Sequence, residues 1–511
     1  DLQRGLVDIS GVGDASRFFF GADVRDLDLA RSALLAGMIR SPGRYNPRRN
    51  PAAALERRDL VLRLMHEHER IDDRQLGEAL AQPLELTETG RAGAAERLPW
   101  VEDWLEDEIA ALSPEAVPSR AGYSVFTTFD PAIQRAAESA LESGLGTLER
   151  RKGGDGGEPL EGAVVVLRPA DGSLLALVGG RNHGRSQFNR ATQAHRSPGS
   201  TFKPFVFLAG LERASRDPDF AFTAATVLDD SPLELRAGGK LWNPTNFDRT
   251  FRGSVTVRDA LEQSINVPTV RAAVQVGLPE VVRVAHDCGI TSDLAPVPAL
   301  ALGAGEVTPL ELATAYATLA NGGWRVRAHG LVTVLDRAGR LVERAAQPEQ
   351  RVIEPELAYL VTNLLEGVVE RGTARSAAAL GFTGTAAGKT GSSNELRDAW
   401  FVGYTPEVLA LVWVGYDDNR PVGLAGGAAA LPIWVDLMRR IGATDAPPFE
   451  RPPGIVREKI DPTTGQLATR RCPDRREEIF VGHALPERCT LHDRGEPEGL
   501  WKRLFGRRRP G

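Results

Sequence analysis

Apolar positions recur at helical spacing through residues 24–40, and that period predicts one amphipathic helix, stopped by Ser41-Pro42-Gly43. A second helix, about 51–70, opens with Pro51 in its first turn. Residues 70–120 read as further helical linker, punctuated by Pro83, Pro99, Pro114 and Pro118. Tyr123–Phe129 has strand composition, and Asp130-Pro131 is an N-cap and first-turn pair for a helix over 131–149. The run Gly153–Gly157 is a flexible break and a domain boundary. Two apolar runs, Ala163–Arg168 and Ser173–Val178, flank Pro169-Ala170-Asp171-Gly172, which predicts a hairpin. Residues 200–285 read as mainly helical, and 306–321 as a helix closed by Gly322-Gly323. Strand character returns over 396–416, where Trp400–Val402 and Val408–Val414 are apolar runs. The Pro-rich stretch Ala446–Pro453 marks a linker into a small tail, and Arg507–Gly511 is expected to be disordered. Helices interleaved with an antiparallel sheet predict an α/β (α+β) fold, helices laid on a sheet.

Composition narrows the class. At 511 residues the chain has room for two or three domains, each with its own core. A net charge of −6 argues against nucleic acid as the main partner. No run of about 18 apolar residues occurs, and residues 1–30 lack the pattern of a signal peptide. The chain opens on Asp1 rather than Met, as a processed or truncated product would. Three cysteines are too few for a disulfide scaffold. Cys288 reads as a core residue, while Cys472 and Cys489 are either a disulfide or two free thiols. Cys489-Thr490-Leu491-His492 with Cys472 has poor spacing for zinc, and His66-Glu67-His68-Glu69 reads as a solvated helix face.

Lysine usage carries the chemistry. There are six lysines against fifty-six arginines, and two of the six sit beside hydroxyl residues: Lys203 in Ser200-Thr201-Phe202-Lys203 and Lys389 in Lys389-Thr390-Gly391-Ser392-Ser393. An ammonium can lose its proton when buried near other charges, whereas a guanidinium cannot. Ser200 is therefore the candidate nucleophile and Lys203, one helical turn on, its base. Ser264 and Asn266, at the end of a helical stretch 256–263, are the candidates for proton relay and for binding a substrate amide. Gly391 lets an extended substrate lie along its strand. Lys389 with the hydroxyls of Thr390, Ser392 and Ser393 can hold a terminal carboxylate. The N–H groups of Ser200 and Ser392 are the candidate oxyanion hole. Each motif alone is weak; Ser-x-x-Lys, Ser-x-Asn and Lys-Thr-Gly in this order are the signature of penicillin-interacting acyl-serine enzymes.

With those residues in view the chain resembles the class A, or bifunctional, penicillin-binding proteins. The likeness also runs through Gln187–Ala191, Arg196–Pro204, Trp242–Asn246, Gly253–Leu261, Leu302–Pro309, Ala313–Gly323 and Gly388–Thr405. It implies a transpeptidase domain over 158–445 with a β-lactamase-like fold, and a C-terminal extension over 446–511. Residues 1–75 resemble the α-helical end of a glycosyltransferase domain, through Ala15–Gly21, Ala33–Gly37, Arg44–Pro47 and Arg57–Met65, with a linker over 76–157. The family's polymerising glutamate lies near the start of that domain, whereas the first glutamate here is Glu56. Most of the glycosyltransferase and an upstream membrane anchor are expected to be missing, and no polymerisation of lipid II is expected. A departure is Ser392-Ser393 where the family usually has two threonines; the hydroxyls survive, and donor preference is the property open to change.

The resemblance implies D,D-transpeptidation at the periplasmic face of the bacterial inner membrane, without metal or organic cofactor. The implied partners are D-Ala-D-Ala stem peptides, an acceptor amine, β-lactams and other cell-wall synthesis proteins. D,D-carboxypeptidation remains open beside it. A serine β-lactamase would need a deacylating base that the sequence does not reveal, and a binding-only protein would predict erosion at Ser200, Lys203 or Lys389, which are all present.

Overall fold

In the computed structural model, residues 11–87, 98–110, 124–152, 158–237, 239–335, 340–344 and 350–492 are described. The expectations for Gly153–Gly157 and Arg507–Gly511 fall outside them. The chain forms two compact units, Asp1–Leu98 and Pro99–Gly511.

Among its described residues the first unit holds four α-helices: α1 (Gly11–Phe20), α2 (Leu29–Met38), α3 (Pro51–Glu67) and α4 (Asp73–Ala81). The single helix expected over 24–40 is in fact a 3-10 turn at Val24–Asp26 followed by α2. Two aspartates cause the split. Asp23 accepts the N–H of Arg25 and Asp28 that of Arg31, so each caps a helix start and Leu27 stays extended between them. Phe19, Leu34, Leu35, Met38 and Ala54 form one small core; Ala30, Ala33, Leu62, Ile71 and Ala79 form another. Glu56 lies exposed on α3.

The second unit is built on a five-stranded antiparallel sheet. Its strands are β1 (Glu161–Leu167), β2 (Leu174–Val178), β3 (Ala387–Ser392), β4 (Ala399–Tyr404) and β5 (Leu409–Gly415), in the order β3-β4-β5-β1-β2. The hairpin β1–β2 forms where expected, with Asp171 accepting the N–H of Ser173 and Gly172 at φ +76°. Strands β2, β4 and β5 are buried along their whole length, β1 from Gly162 on and β3 as far as Gly391, because helices cover both faces. Strand alternation shows the division. Phe401 and Gly403 face Trp434 on the helix Gly426–Arg440, while Trp400 and Tyr404 face the opposite side, toward Ser197 and Thr362. Helix α5 (Pro131–Lys152), capped by Asp130, packs with Gly426–Arg440, and its Gly144 lies against Ile433. The stretch 131–152 is thus part of this packed unit.

On the other face lie α6 (Lys203–Arg216), α7 (Val257–Glu262), α8 (Asn266–Val276), α9 (Pro309–Ala320) and α10 (Pro355–Glu370). The expected helix at 306–321 is α9, set by a capping box between Thr308 and Glu311 and closed by Gly322 and Gly323 at positive φ. Residues 200–285 also contain two antiparallel ribbons, Val227–Asp230 with Gly253–Thr256 and Leu235–Ala237 with Lys240–Trp242. Their strands have three or four residues, too short for an alternating pattern to stand out. The tail forms a ribbon of β6 (Ile455–Ile460) and β7 (Arg476–Val481). Cys288 is fully buried at the end of the helix Leu278–Cys288, and burial pushes its thiol pKa up. Cys472 and Cys489 are two buried free thiols rather than a disulfide.

Candidate active site

Ser200 sits in a 3-10 turn, Gly199–Phe202, that runs directly into α6. In a 3-10 turn side chains at i and i+3 eclipse, so residue 203 stacks over residue 200. The turn is held from several sides. Trp400 Nε1 donates to Ser197 O at 2.9 Å, the Tyr316 hydroxyl to Thr201 O at 2.6 Å, and Ser197 Oγ to Gly303 O at 2.6 Å. Gly199 has φ +55°, and a Cβ there would lie 2.3 Å from Ser392 O. Only glycine brings this turn so close to the edge strand β3.

Lys203 is wholly buried. Its Nζ donates to Ser264 O (2.7 Å), Asn266 Oδ1 (2.7 Å) and Ile265 O (3.2 Å), and lies 3.4 Å from Ser264 Oγ. Lys389, equally buried on β3, donates to Ser264 Oγ at 2.8 Å and to Thr390 O at 3.1 Å. Burial and the neighbouring Lys389 charge hold the Lys203 pKa well below the usual lysine value. Burial alone lowers that of Lys389 to about 7. Two amines therefore converge on one hydroxyl, and burial favours the neutral form of each.

Ser264 occupies a tight link between α7 and α8 with φ +55°, a left-handed conformation that a side chain adopts only under constraint. Helix α7 ends at Glu262 with Gln263 as its cap, close to the end of the stretch expected over 256–263, and α8 begins at Asn266. Asn266 Oδ1 accepts from Lys203, and its Nδ2 donates to Thr245 O at 2.8 Å.

The hydroxyls along β3 differ in their partners. Thr390 Oγ1 pairs with Thr373 Oγ1 at 2.7 Å, and Ser392 Oγ accepts the N–H of Gly426 at 3.0 Å. Ser393 Oγ donates to Asp398 Oδ2 at 2.8 Å. Ser200, Ser264, Asn266, Thr390, Ser392 and Ser393 line one cavity of about 530 Å³, beside the exposed Phe247. Gly391 holds β3 against the nucleophile turn: a Cβ there would lie 2.6 Å from Pro198 O. A larger cavity of about 710 Å³, lined by Phe222, Leu357, Phe480 and His483, shares no residue with this one.

Three supporting residues escaped the sequence reading as individuals. Asn246 accepts the N–H groups of Asn266 and Val267, and donates to the buried Asp230 at 2.7 Å. Asp398 orders Ser393 and accepts from Trp413 Nε1 at 3.1 Å. Thr373 meets Thr390 across the site. Each is a common residue in a loop or turn, and only long-range contacts give it a role.

Comparison with known proteins places these features in context. The family model "Penicillin binding protein transpeptidase domain" matches residues 162–439, "Transglycosylase" matches 3–66, and "Penicillin-binding protein 1A, C-terminal domain" matches 451–493. Penicillin-binding protein 1B of Vibrio cholerae is 35% identical over 439 residues, covering 86% of this chain and 55% of that one. Penicillin-binding protein 1A of Neisseria gonorrhoeae is 32% identical over 555 residues, with 87% and 68% covered. The crystal structure of penicillin-binding protein 1A from Haemophilus influenzae superposes with a TM-score of 0.77 at 25% identity, covering 94% of this chain and 90% of that one. The chain spans about half the length of the 1B relatives it matches.

Proposed function

Because this chain belongs to the class A penicillin-binding proteins, we propose that it is a peptidoglycan D,D-transpeptidase of the bacterial envelope, working on the periplasmic side of the inner membrane. The observation that carries the reading is the buried pair Lys203 and Lys389 meeting at Ser264, next to the turn that bears Ser200.

In this reaction Ser200 Oγ attacks the carbonyl between the two terminal D-alanines of a stem peptide while its proton passes to the neutral Lys203 amine. The N–H groups of Ser200 and Ser392 take the developing oxyanion. Ser264, hydrogen-bonded to Lys389, delivers a proton to the departing D-alanine amine. An amine from a neighbouring stem then takes the acyl group and Ser200 recovers its proton. Lys389 and Thr390 hold the donor carboxylate, and the edge position of β3 lets the donor add as an extended strand. Asn266 keeps Lys203 in place and shares in binding the donor amide. The partner of Ser393 is Asp398, so its part is to shape the end of the strand. Residues 158–445 would form the catalytic domain, with 446–511 as its extension.

Intact-protein mass spectrometry after incubation with benzylpenicillin, run beside Ser200→Ala, tests the reading. A penicilloyl adduct that persists on the wild type and is absent from the variant is expected. Rapid turnover without a lasting adduct would show a β-lactamase; neither adduct nor turnover would leave a binding protein.

A further inference from the structure

The tail beyond the active-site domain gathers four side chains of metal-ligand type that are scattered in sequence. Asp461 follows β6 directly, Cys472 lies in the connection to β7, and Cys489 and His492 come after it. Bridges pairing Leu467 with Ile460 and with Arg488 fold these loops onto one another. As a result one ligand atom from each of Asp461, Cys472, Cys489 and His492 lies within 4.8 Å of all the others.

The spacing matches the edges of a coordination tetrahedron. Zinc bonds of about 2.3 Å to sulfur and about 2.0–2.2 Å to nitrogen and oxygen give edges of roughly 3.3–3.8 Å. Cys489 Sγ lies 3.4 Å from Asp461 Oδ2 and 3.5 Å from His492 Nδ1. Asp461 Oδ2 and His492 Nδ1 are at 2.6 Å, a hydrogen bond that an inserted cation would open by under about an ångström. The surrounding donors suit thiolates and an oriented carboxylate. Thr469 N–H points at Cys472 Sγ (3.3 Å), Thr464 Oγ1 at Cys489 Sγ (3.8 Å), and Thr463 N–H fixes the other carboxylate oxygen, Oδ1, at 3.0 Å.

A disulfide would use only two of the four residues and leave Asp461 and His492 to pair with each other. A divalent cation uses all four. A two-stranded ribbon has little core of its own, and here the satellite cluster among the described residues comprises Ala225, Ile460 and Phe480.

We infer that Asp461, Cys472, Cys489 and His492 form a structural zinc site that closes the C-terminal module. Two sulfurs, an imidazole nitrogen and a carboxylate oxygen select a borderline-soft divalent ion in a closed tetrahedral shell. On binding, both thiols release their protons to solvent and the ion takes the two thiolates, the carboxylate and the neutral imidazole. This explains why the zinc pattern was not evident in the sequence: the fourth ligand, Asp461, stands apart in a segment without Cys or His neighbours.

The test uses the full chain, purified without reductant, loaded with zinc and dialysed. Elemental analysis should give one zinc per chain, and iodoacetamide should label Cys472 and Cys489 at least about tenfold more slowly than after removal of the metal by a chelator. Cobalt in place of zinc should produce thiolate-to-metal charge-transfer absorption. Cys472→Ser and His492→Ala should each lose the stoichiometric metal while still forming the penicilloyl adduct. Should those variants fail to fold, the wild-type comparison with and without chelator decides alone. A peptide linking Cys472 to Cys489 by a disulfide would overturn the inference, as would two freely labelled thiols in zinc-loaded protein.

Discussion

Replacing Lys203 by arginine keeps a charge and roughly the same reach, yet it should stop the chemistry. The guanidinium would remain protonated among Ser264 O, Ile265 O and Asn266 Oδ1, where burial and the Lys389 charge favour the neutral form of Lys203. Lys203→Arg is expected to slow acylation by benzylpenicillin by about 10²–10⁴-fold, the range for loss of a positioned base; a near-normal rate would remove Lys203 from that role. The pH profile should have two sides. Acylation rises with pH as Lys203 loses its proton, and because its pKa is depressed this limb lies well below the usual lysine range. It is expected to fall again near pH 7 in the free protein, where Lys389 gives up the charge proposed to hold the donor carboxylate. Lys389→Arg should push the alkaline limb upward, and an unmoved limb would assign it to another group. At this scale the sequence was informative, since a chain with so few lysines places two beside serines. It did not disclose that both amines meet at Ser264, because their residues are 186 positions apart and on different elements.

Among the elements, β3 and the nucleophile turn depend on each other. Gly391 leaves room for Pro198 O and Thr201 Cγ2, which would lie 2.6 and 2.7 Å from an added Cβ. Backbone cannot give way as a flexible side chain can, so Gly391→Ala must move the strand or the turn. We expect a loss of about 1–3 kcal/mol in stability, as for other overpacked sites, and at least about a tenfold fall in acylation rate. Thermal unfolding and adduct kinetics would check both; unchanged kinetics would mean that the turn tolerates the shift. Long elements were legible: the hairpin β1–β2, the helix α9, and the apolar runs of β4 and β5. The element pattern was less legible where polar residues compete locally. Asp28 breaks the apolar period of 24–40 by capping α2. The ribbons within 200–285 are stabilised by pairing with segments far along the chain, such as Asp230 with Gly253.

Across the molecule, the tail is tied to the active-site helices by buried charge. Arg258 on α7 donates to both carboxylate oxygens of Glu478 on β7, at 2.7 and 2.6 Å, and also to Glu262 and Asn363. Removing one partner strands the other, so Glu478→Ala should destabilise the chain by about 3–5 kcal/mol in denaturant unfolding. A double change, Arg258→Met with Glu478→Leu, should recover much of that loss; no recovery would show that packing rather than charge sets the cost. Arg476 with Asp259 makes a second link between the same elements.

By itself the sequence determined the candidate catalytic residue types, their order and the covered sheet. These follow from local propensity and from hydrophobic runs of strand length, which act over a few neighbouring residues. Tertiary structure decided what touches what: the two lysines at one serine, the left-handed Ser264, the anchoring of Asn266 by Asn246, and the assembly of Asp461 with two cysteines and a histidine. Such contacts join residues tens to hundreds of positions apart, and chain pattern carries no distance information at that range. Only packing the sheet between its helices brings those groups together and, by excluding water, sets their charges.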